Sequence, residues 1–353
     1  MKPVYLAGRG LACALGLSVE ESLASLQQGG TAAAAITLPG ELGGSFPYRA
    51  IPHANSLWNE RACELVRRVA AEAGAHLARN GALFIATSSF DIGAVEQGAS
   101  QLDYNAFANK IAAWLDWAGP VYVIRTACTS SLNALIAAHA LLNAGEMEEA
   151  LVLGVELDNQ LTPGGFAALQ LLSTTGSKPF GKHRDGLVLG EAVAALRLST
   201  RQPATWKIAG GANVIDGSQP TGASAAAVVS MYQQAVATSG LAADAIDLIK
   251  VQAAGSPGND AIEAQGLREY FPTVPPLVSL KAAMGHTMGA SGAAEIAMLT
   301  ACLEQAVWPQ YPNETDTALG VTLAAICPPN VRRVLATILG FGGSHASVIL
   351  ERT

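Results

Sequence analysis

Charged residues are scarce in this chain. Lysine, arginine, aspartate and glutamate make up 14% of its 353 residues, whereas half of the residues are hydrophobic. A lone subunit of this composition would expose apolar surface, so we expect buried parallel strands and a sizeable subunit interface. The net charge is −7, and the sequence has no long basic run. We therefore expect neither a nucleic-acid partner nor a membrane partner.

Cysteine is also rare. The five cysteines are widely spaced and form no Cys-x-x-Cys pair, which argues against a disulfide framework and against a zinc site. We expect no bound metal and a reducing, cytoplasmic location. The longest apolar run, around residues 134–142, contains His139 and is too short to span a bilayer. The first residues predict a strand and a turn, not a signal peptide.

Two successive series of strands and helices predict the α/β class with a parallel or mixed sheet. In the first series, strands are predicted at residues 3–8, 82–87, 121–124 and 150–155, helices at 18–27, 59–79 and 104–117, paired strands at 187–198, and a loop with short elements at 30–56. In the second, strands are predicted at 205–211, 247–252, 276–280, 334–339 and 346–351, and helices at 223–239, 259–270 and 289–303. Because both series have the same order, we expect two similar halves, residues 1–203 and 204–353.

The stretch VYVIRTACTSSLNALIAAHALLNAG, residues 121–145, combines a β-branched strand, a turn with Cys128 and an Ala-rich helix. A thiol at a helix N-terminus meets free N–H groups and the positive end of the helix dipole, and both favour the thiolate. Small and hydroxyl neighbours, Thr126 among them, leave room for a substrate. Cys128 is therefore a candidate nucleophile, and a buried structural cysteine is the alternative.

Two glycine-rich turns offer partners for the thiol. SLKAAMGHTMGASG, residues 279–292, places Lys281 and His286 among small residues, so His286 is a candidate catalytic base or a buried histidine satisfied by backbone groups. LGFGGSHA, residues 339–346, is too flexible for a strand interior. Its backbone N–H groups could bind an oxyanion while Phe341 covers a pocket, and a plain hairpin is the alternative.

Four motifs together carry a resemblance to a known family. They are TACTSS, KPFGKHRDGLVLGEA, KAAMGHTMGASG and GFGGSHAS, starting at residues 126, 178, 281 and 340. They occur in the order found in the β-ketoacyl-acyl-carrier-protein synthases of the thiolase-like superfamily, which the chain resembles from its first strand to its C-terminus. The resemblance implies a thiolase-like, duplicated five-layered αβαβα fold of the α/β class, usually dimeric.

The resemblance also implies roles for individual residues. Cys128 would take an acyl chain from the phosphopantetheine arm of an acyl carrier protein, so no tightly bound cofactor is expected. The backbone N–H groups of Cys128 and Phe341 would form the oxyanion hole, with Phe341 as the gate. Lys281 and Glu191 would form a buried ion pair that orders the site, or one that is purely structural. Residues expected to line the substrate are Thr126, Gly340, Gly342 and Gly343.

One motif departs from the family. Where relatives have His-Gly-Thr-x-Thr followed by Asp and Glu on a helix, this chain has QAAGSPGND, residues 252–260, and then Glu263. We place Ala254 at the position of the first catalytic histidine, in a shortened loop. An alanine cannot donate a hydrogen bond to an enolate, which puts decarboxylation by this chain alone in doubt. His345 could substitute for the lost imidazole, or serve packing or an interface.

Three functions follow from these residues. We expect a condensing-enzyme subunit of fatty-acid or polyketide chain elongation that pairs with a second ketosynthase, as chain-length factors do. An independent synthase using Cys128 and His286, active as a homodimer, is one alternative. An acyltransferase that needs no decarboxylation is another. The acidic carrier protein would dock on a local basic patch; the candidates are Arg61, Arg67 and Arg68, or Lys178, Lys182 and Arg184.

Overall fold

A ten-stranded mixed sheet is the framework of the protein. The computed structural model describes residues 2–38, 44–52, 57–99, 102–218 and 220–353. The strands are β1 (Val4–Cys13), β2 (Ala34–Leu38), β3 (Gly44–Arg49), β4 (Ala82–Ala86), β5 (Val121–Ile124), β6 (Glu149–Glu156), β7 (Leu189–Gly190), β8 (Ala192–Ser199), β9 (Trp206–Ile215), β10 (Leu248–Lys250), β11 (Leu277–Val278), β12 (Arg333–Leu339) and β13 (Ser344–Arg352). The helices are α1 (Val19–Gln27), α2 (Trp58–Glu72), α3 (Ile92–Glu96), α4 (Tyr104–Trp114), α5 (Ser130–Asn143), α6 (Leu161–Ala168), α7 (Ala225–Ser239), α8 (Pro257–Tyr270), α9 (Lys281–Met284) and α10 (Ser291–Gln305).

The two halves of the large sheet repeat one pattern. The strand order is β11-β10-β12-β13-β9-β1-β8-β6-β4-β5. In the first half β1, β8 and β6 pair antiparallel and β6, β4 and β5 pair parallel. In the second half β9, β13 and β12 pair antiparallel and β12, β10 and β11 pair parallel. The order and directions are therefore the same, and the division at residues 203 and 204 stays a prediction.

Helices fill the space between the halves and cover their outer faces. Helices α5 and α10 pack on strands of both halves, α2 packs on β1 and β8, and α7 packs on β9 and β13. The layers therefore run helix, sheet, helix, sheet, helix. This arrangement confirms the predicted thiolase-like αβαβα fold of the α/β class.

Helices α5 and α10 are in close contact. A Cβ atom on Gly292 would lie 2.6 Å from Cγ of Leu132, so only glycine fits at this crossing. The N–H of Ala293 donates to the hydroxyl of Ser131 at 3.1 Å. Each helix begins directly after a glycine- or hydroxyl-rich turn, and their contact brings the two turns together.

One strand prediction needs correction, and the short elements predicted at residues 30–56 are strands. Residues 187–198 do not form paired strands, because β7 pairs with β3 in a separate three-stranded sheet while β8 lies in the large sheet. Both segments are apolar, and composition alone does not show which sheet takes a strand. In the predicted loop at residues 30–56, β2 and β3 form an antiparallel pair. Residues 39–43 and 53–56 lie outside the described residues.

Strand β5 has the predicted bounds but a different environment. It lies at the edge of the sheet, pairs with β4 alone among the described strands, and is only partly buried. Tyr122 on this strand is 42% exposed. The prediction of a buried strand was therefore wrong, because a β-branched run suits an edge strand as well as a central one.

Some helix ends follow simple local chemistry. The hydroxyl of Ser18 accepts the N–H of Glu21 at 3.1 Å and caps α1, as its sequence predicts. The Glu21 carboxylate accepts the N–H of Leu17 at 2.8 Å instead of that of Ser18. Pro257 lies in the first turn of α8, where a missing N–H costs nothing. Among the described helices, none is both long and apolar enough to cross a membrane.

Candidate active site

Cys128 lies in the turn between β5 and α5, with 1% of its surface exposed. The hydroxyl of Ser130 accepts the N–H of Thr126 at 2.9 Å and donates to the carbonyl of Ala127 at 2.6 Å. Ala127 has a φ of +51°, a left-handed conformation that costs a residue other than glycine about 1–2 kcal/mol. The surrounding bonds therefore hold the thiol in one strained, fixed turn. The Thr126 hydroxyl accepts the amide of Asn133 at 2.8 Å, and its contact with a substrate stays a prediction.

The Cys128 thiol is protonated at neutral pH. Burial raises its pKa to about 11, and the N–H of Phe341 and the charge of Lys281 lower the pKa only in part. The buried carboxylate of Glu156 raises the pKa further. The prediction of a favoured thiolate was therefore wrong, because loss of hydration outweighs the helix end at this depth.

The Gly-Phe-Gly-Gly turn lies against the nucleophile turn. It joins β12 to β13 as a hairpin, and the backbone N–H of Phe341 is near enough to Cys128 to lower the pKa of the thiol. Gly340 packs on Thr129, whose hydroxyl lies 2.8 Å from that of Ser344. Gly342 and Gly343 have φ values of 76° and 77°, which favour glycine. The turn is thus a hairpin and a neighbour of Cys128 at once.

The side chain of Phe341 covers the turn from outside. Its ring stacks on Phe166 of α6, with 5.3 Å between the ring centroids. Both rings belong to an apolar cluster that also contains Ala254 and Leu189. Because the Cys128 sulfur is buried, a substrate reaches it only when neighbouring groups move. This placement suits the predicted gate, and the role stays a prediction.

His286 follows α9 and is 3% exposed. Its Nδ1 accepts the N–H of Met288 at 3.3 Å and lies 3.1 Å from the hydroxyl of Ser291. Burial, with Lys281 and Lys250 nearby, lowers the pKa of the imidazole well below its usual value. The ring is therefore neutral at pH 7. Since Nδ1 accepts a backbone N–H, the proton lies on Nε2, which can donate to a substrate oxygen.

Lys281 is paired with Glu295 of α10, and both side chains are buried. Lys250, also buried, binds the other oxygen of the same carboxylate and donates to the carbonyl of Thr337 at 2.6 Å. Burial lowers the pKa of Lys250 to about 8, and the Glu295 carboxylate opposes this shift. Two lysines thus share one carboxylate, and Lys281 is close enough to act on Cys128 and His286.

The predicted pair of Lys281 with Glu191 was wrong. Glu191 binds Arg61 with both oxygens, at 2.6 Å and 2.7 Å, and accepts the N–H groups of Ile51 and Asp158. These residues line a separate cavity of about 320 Å³ beside β3 and α2. Sequence spacing does not show which buried carboxylate meets a given lysine. A signal for Glu295 was present, because it is a lone acid within an apolar stretch of α10 and needs a cationic partner.

Carboxylates hold the loop after β10. Asp260 accepts the N–H groups of Ala254 and Gly255, both at 3.1 Å. Glu263 accepts those of Gln252 and Ala253 at 2.7 Å and 2.8 Å. The two acids of α8 therefore fix the backbone of this loop and are not directed at a substrate.

His345 does not line the candidate site. On β13, the neighbouring Ser344 bonds to Thr129, and Ala346 packs in the core that contains Cys128. Because side chains alternate along a strand, His345 points to the opposite face. It is fully buried, and both ring nitrogens lack a hydrogen-bond partner among the described residues. The hypothesis that His345 replaces a catalytic imidazole is therefore not supported by its position.

In the first predicted basic patch Arg67 and Arg68 are exposed; Arg67 donates to the carbonyl of Trp114 at 3.0 Å and Arg68 pairs with Glu21 at 3.2 Å. Arg61 is buried against Glu191, as described above. In the second patch all three cations are paired with acids, at 3.4 Å, 2.9 Å and 2.7 Å; the pairs are Lys178–Asp185, Lys182–Glu314 and Arg184–Asp316. In the described part of the chain, no cluster of three or more histidine, cysteine, aspartate or glutamate side chains is arranged to hold a metal ion.

Two domain models of one family match most of the chain. Residues 67–204 match the β-ketoacyl synthase N-terminal domain, and residues 206–315 match its C-terminal domain. A polyketide synthase–nonribosomal peptide synthetase of Talaromyces wortmannii is 31% identical over 283 residues, which cover 69% of this chain and 9% of that protein. A chloroplastic 3-oxoacyl-[acyl-carrier-protein] synthase II of Arabidopsis thaliana is 30% identical over 271 residues, covering 69% of this chain and 50% of the plant protein.

Solved structures share the whole fold. A ketosynthase in complex with its chain length factor from Xenorhabdus doucetiae has a TM-score of 0.85 at 22% identity, covering 100% of this chain and 98% of the other. A β-ketoacyl synthase from Burkholderia phymatum has a TM-score of 0.83 at 23% identity, covering 100% of each chain. With both domain matches, these likenesses confirm the resemblance. The chain belongs to the β-ketoacyl synthase family.

Proposed function

We propose that this chain is a condensing-enzyme subunit of fatty-acid or polyketide chain elongation, which takes an acyl group from the phosphopantetheine arm of an acyl carrier protein onto Cys128. The observation that carries the proposal is the position of the Phe341 turn against the Cys128 turn, where Thr129 lies 2.8 Å from Ser344 and the backbone N–H of Phe341 is near enough to lower the pKa of the thiol. A donor that reaches the sulfur is also close to the oxygen of a carbonyl bonded to that sulfur. It can therefore stabilise the oxyanion of acyl transfer.

The acyl-transfer step uses groups that the chain supplies. The Cys128 sulfur attacks the carrier's thioester carbonyl, and the carbon–sulfur bond to the carrier breaks. The carrier sulfur leaves as a thiol, with the proton that Cys128 gives up. Lys281 lowers the pKa of Cys128, so its charge favours the nucleophile that forms when the proton departs. His286 is neutral and can donate from Nε2 to the oxygen of a second, malonyl thioester.

A second ketosynthase subunit is the proposed partner. The outer edge of β5 presents unpaired backbone groups, and Tyr122 on that strand and Tyr104 on α4 are 42% and 48% exposed. An open, apolar sheet edge is a natural place for a strand of another subunit to pair. The structural relatives with a ketosynthase and a chain length factor in one complex support this arrangement. The unpaired cysteines suit a reducing compartment, so we place the complex in the cytoplasm.

Two alternatives keep specific support. The neutral imidazole of His286 and the shared Lys281–Glu295 pair favour an independent, homodimeric synthase, since both are unnecessary in a pure scaffold. The loop after β10, residues 252–256, contains no histidine, which favours an acyltransferase that performs no decarboxylation. Both alternatives use the same acyl intermediate on Cys128.

One experiment separates these functions. The purified chain is incubated with an acyl carrier protein and a malonyl carrier protein, and intact mass and carbon dioxide release are followed. Acylation of Cys128 without carbon dioxide supports the partner subunit or the acyltransferase, and both events together support the synthase. Co-purification with a complete ketosynthase identifies the heterodimer. No acylation in any combination contradicts the proposal.

A further inference from the structure

Gln252 is a buried polar residue to which the site described so far gives no role. It is 7% exposed, and its Oε1 lacks a hydrogen-bond partner among the described residues. A buried, unpaired amide costs about 1–3 kcal/mol, so its retention calls for an explanation. The position of Gln252 at the end of β10 supplies one.

The alternation of β10 fixes the direction of the Gln252 side chain. Ile249, Val251 and Ala253 pack in the outer core under α7 and α8. Lys250 points to the other face, where it binds Glu295 of α10 beside Lys281. The N–H of Val251 still donates to the carbonyl of Val278 at 2.9 Å, so the extended backbone continues past Lys250. Gln252 therefore projects to the inner face, towards the candidate active site.

The register of the strands places Gln252 among the functional turns. Lys250 pairs with Val278 of β11 and with Ala336 of β12. Two residues further, Gln252 is level with Leu280, which precedes Lys281, and with Ile338, which precedes the Phe341 turn. The carboxyl ends of these three parallel strands meet at one edge, which is where such sheets bind their ligands.

Ala254 occupies a different position. Its N–H binds Asp260, its carbonyl accepts the Ser177 hydroxyl at 2.9 Å, and its methyl group lies in the apolar cluster with Phe166 and Phe341. It therefore packs beside the Phe341 ring, two residues beyond Gln252 along the chain. The placement of the lost imidazole at Ala254 does not agree with this geometry.

We propose that Gln252 faces the malonyl thioester opposite His286 and that its side-chain amide donates the second hydrogen bond to the enolate oxygen. Rotation of the amide by 180° exchanges Oε1 and Nε2, so the unpaired position presents a donor to an incoming carbonyl. When the carbon–carbon bond to the malonyl carboxylate breaks, carbon dioxide leaves and the electron pair passes to the enolate. Nε2–H groups of Gln252 and His286 then stabilise the oxygen. The enolate carbon attacks the Cys128 thioester, and the Cys128 sulfur leaves.

This inference rests on the proposed function and is tested separately from it. Carbon dioxide release from malonyl carrier protein is measured for Gln252→Leu, Gln252→His and the matched control Ala254→His, while intact mass reports acylation of Cys128. Gln252→Leu should lower release about 10²- to 10³-fold, as for loss of one oxyanion donor, with acylation retained. Gln252→His should equal or exceed the wild-type rate, and Ala254→His should not raise it.

Each outcome of this experiment either supports or overturns the role of Gln252. If the wild-type rate is below detection, Gln252→His alone must raise it measurably. An increase in Ala254→His but not in Gln252→His overturns the inference, as does wild-type release by Gln252→Leu. A Gln252→His protein that acylates Cys128 but stays without detectable release also overturns it. Failure of the wild-type chain to acylate Cys128 would instead count against the proposed function.

Discussion

The backbone N–H of Phe341 lies near enough to Cys128 to lower the pKa of its thiol, and the last hairpin of the chain meets the turn that precedes α5. This arrangement supports the proposal that Cys128 is the acyl acceptor. We expect Cys128→Ala to abolish the acyl adduct seen by intact mass after incubation with an acyl carrier protein. Cys63→Ala, which removes a half-buried thiol of α2, should acylate normally. A full adduct on Cys128→Ala would show that another residue is the acceptor.

Alkylation of Cys128 should rise steeply with pH. Burial raises its pKa to about 11, so the reactive thiolate is a small fraction at neutral pH. That fraction increases about tenfold with each pH unit below the pKa. The rate of modification by iodoacetamide, followed by peptide mass spectrometry, should therefore increase about tenfold per unit from pH 7 to pH 9. A rate that levels off below pH 9 would show an ordinary or lowered pKa.

The two glycines after Phe341 form a matched pair for the hairpin. Their φ values of 76° and 77° make the backbone cost of alanine the same, about 1–2 kcal/mol. A Cβ on Gly343 would lie 1.6 Å from the carbonyl oxygen of Asp216, whereas a Cβ on Gly342 has nothing within 4 Å. Urea unfolding should therefore show a larger loss of stability for Gly343→Ala than for Gly342→Ala. Equal losses would mean that the contact with Asp216 does not form.

Substitution of two buried glutamates tests whether the ion pairs of Glu295, unlike that of Glu191, affect Cys128. Glu295→Gln leaves Lys250 and Lys281 without their carboxylate, and Glu191→Gln leaves Arg61 without its main partner. Each change should destabilise the fold by about 3–5 kcal/mol, because it strands a buried charge. Only Glu295→Gln should also slow acylation of Cys128, measured below the unfolding temperature of both variants. Slower acylation in Glu191→Gln would revive a link between Glu191 and the thiol.

Substitution of Tyr122 tests whether the edge of β5 forms the subunit interface. A carboxylate at this exposed edge would need burial on association, so Tyr122→Asp should weaken self-association or pairing with a ketosynthase at least tenfold. Ile326→Asp is the control, because Ile326 is 75% exposed outside this edge. Sedimentation velocity over a concentration series measures both variants. Unchanged association of Tyr122→Asp would place the interface elsewhere.

The sequence predicted those elements that depend only on neighbouring residues. The β-branched run and the Ala-rich stretch around Cys128 predicted the bounds of β5 and the start of α5. The glycine motifs predicted two turns near the thiol. Local patterns did not show that β5 is an edge strand, because that depends on which strands pair beyond it.

The sequence pattern did not predict which distant residues form ion pairs or how deeply Cys128 is buried. Lys281 was predicted to meet Glu191, yet Glu295 is its partner. Both carboxylates are buried, and only the packing of α10 selects one. The helix end at Cys128 predicted a thiolate, but the depth of burial reverses the sign of the shift. Counting back from Gly255 suggested Ala254 as the lost donor, whereas strand alternation directs Gln252 inward.

The close contact of Gly292 with Leu132, where α5 crosses α10, makes position 292 intolerant of substitution. Cys128 precedes one helix and His286 the other, so the gap between sulfur and imidazole is set by how near the two helix axes approach. An added methyl at position 292 would push those axes apart and widen that gap, without touching any reactant. A residue with no chemistry of its own thereby sets the spacing of the two side chains on which the proposed reaction depends.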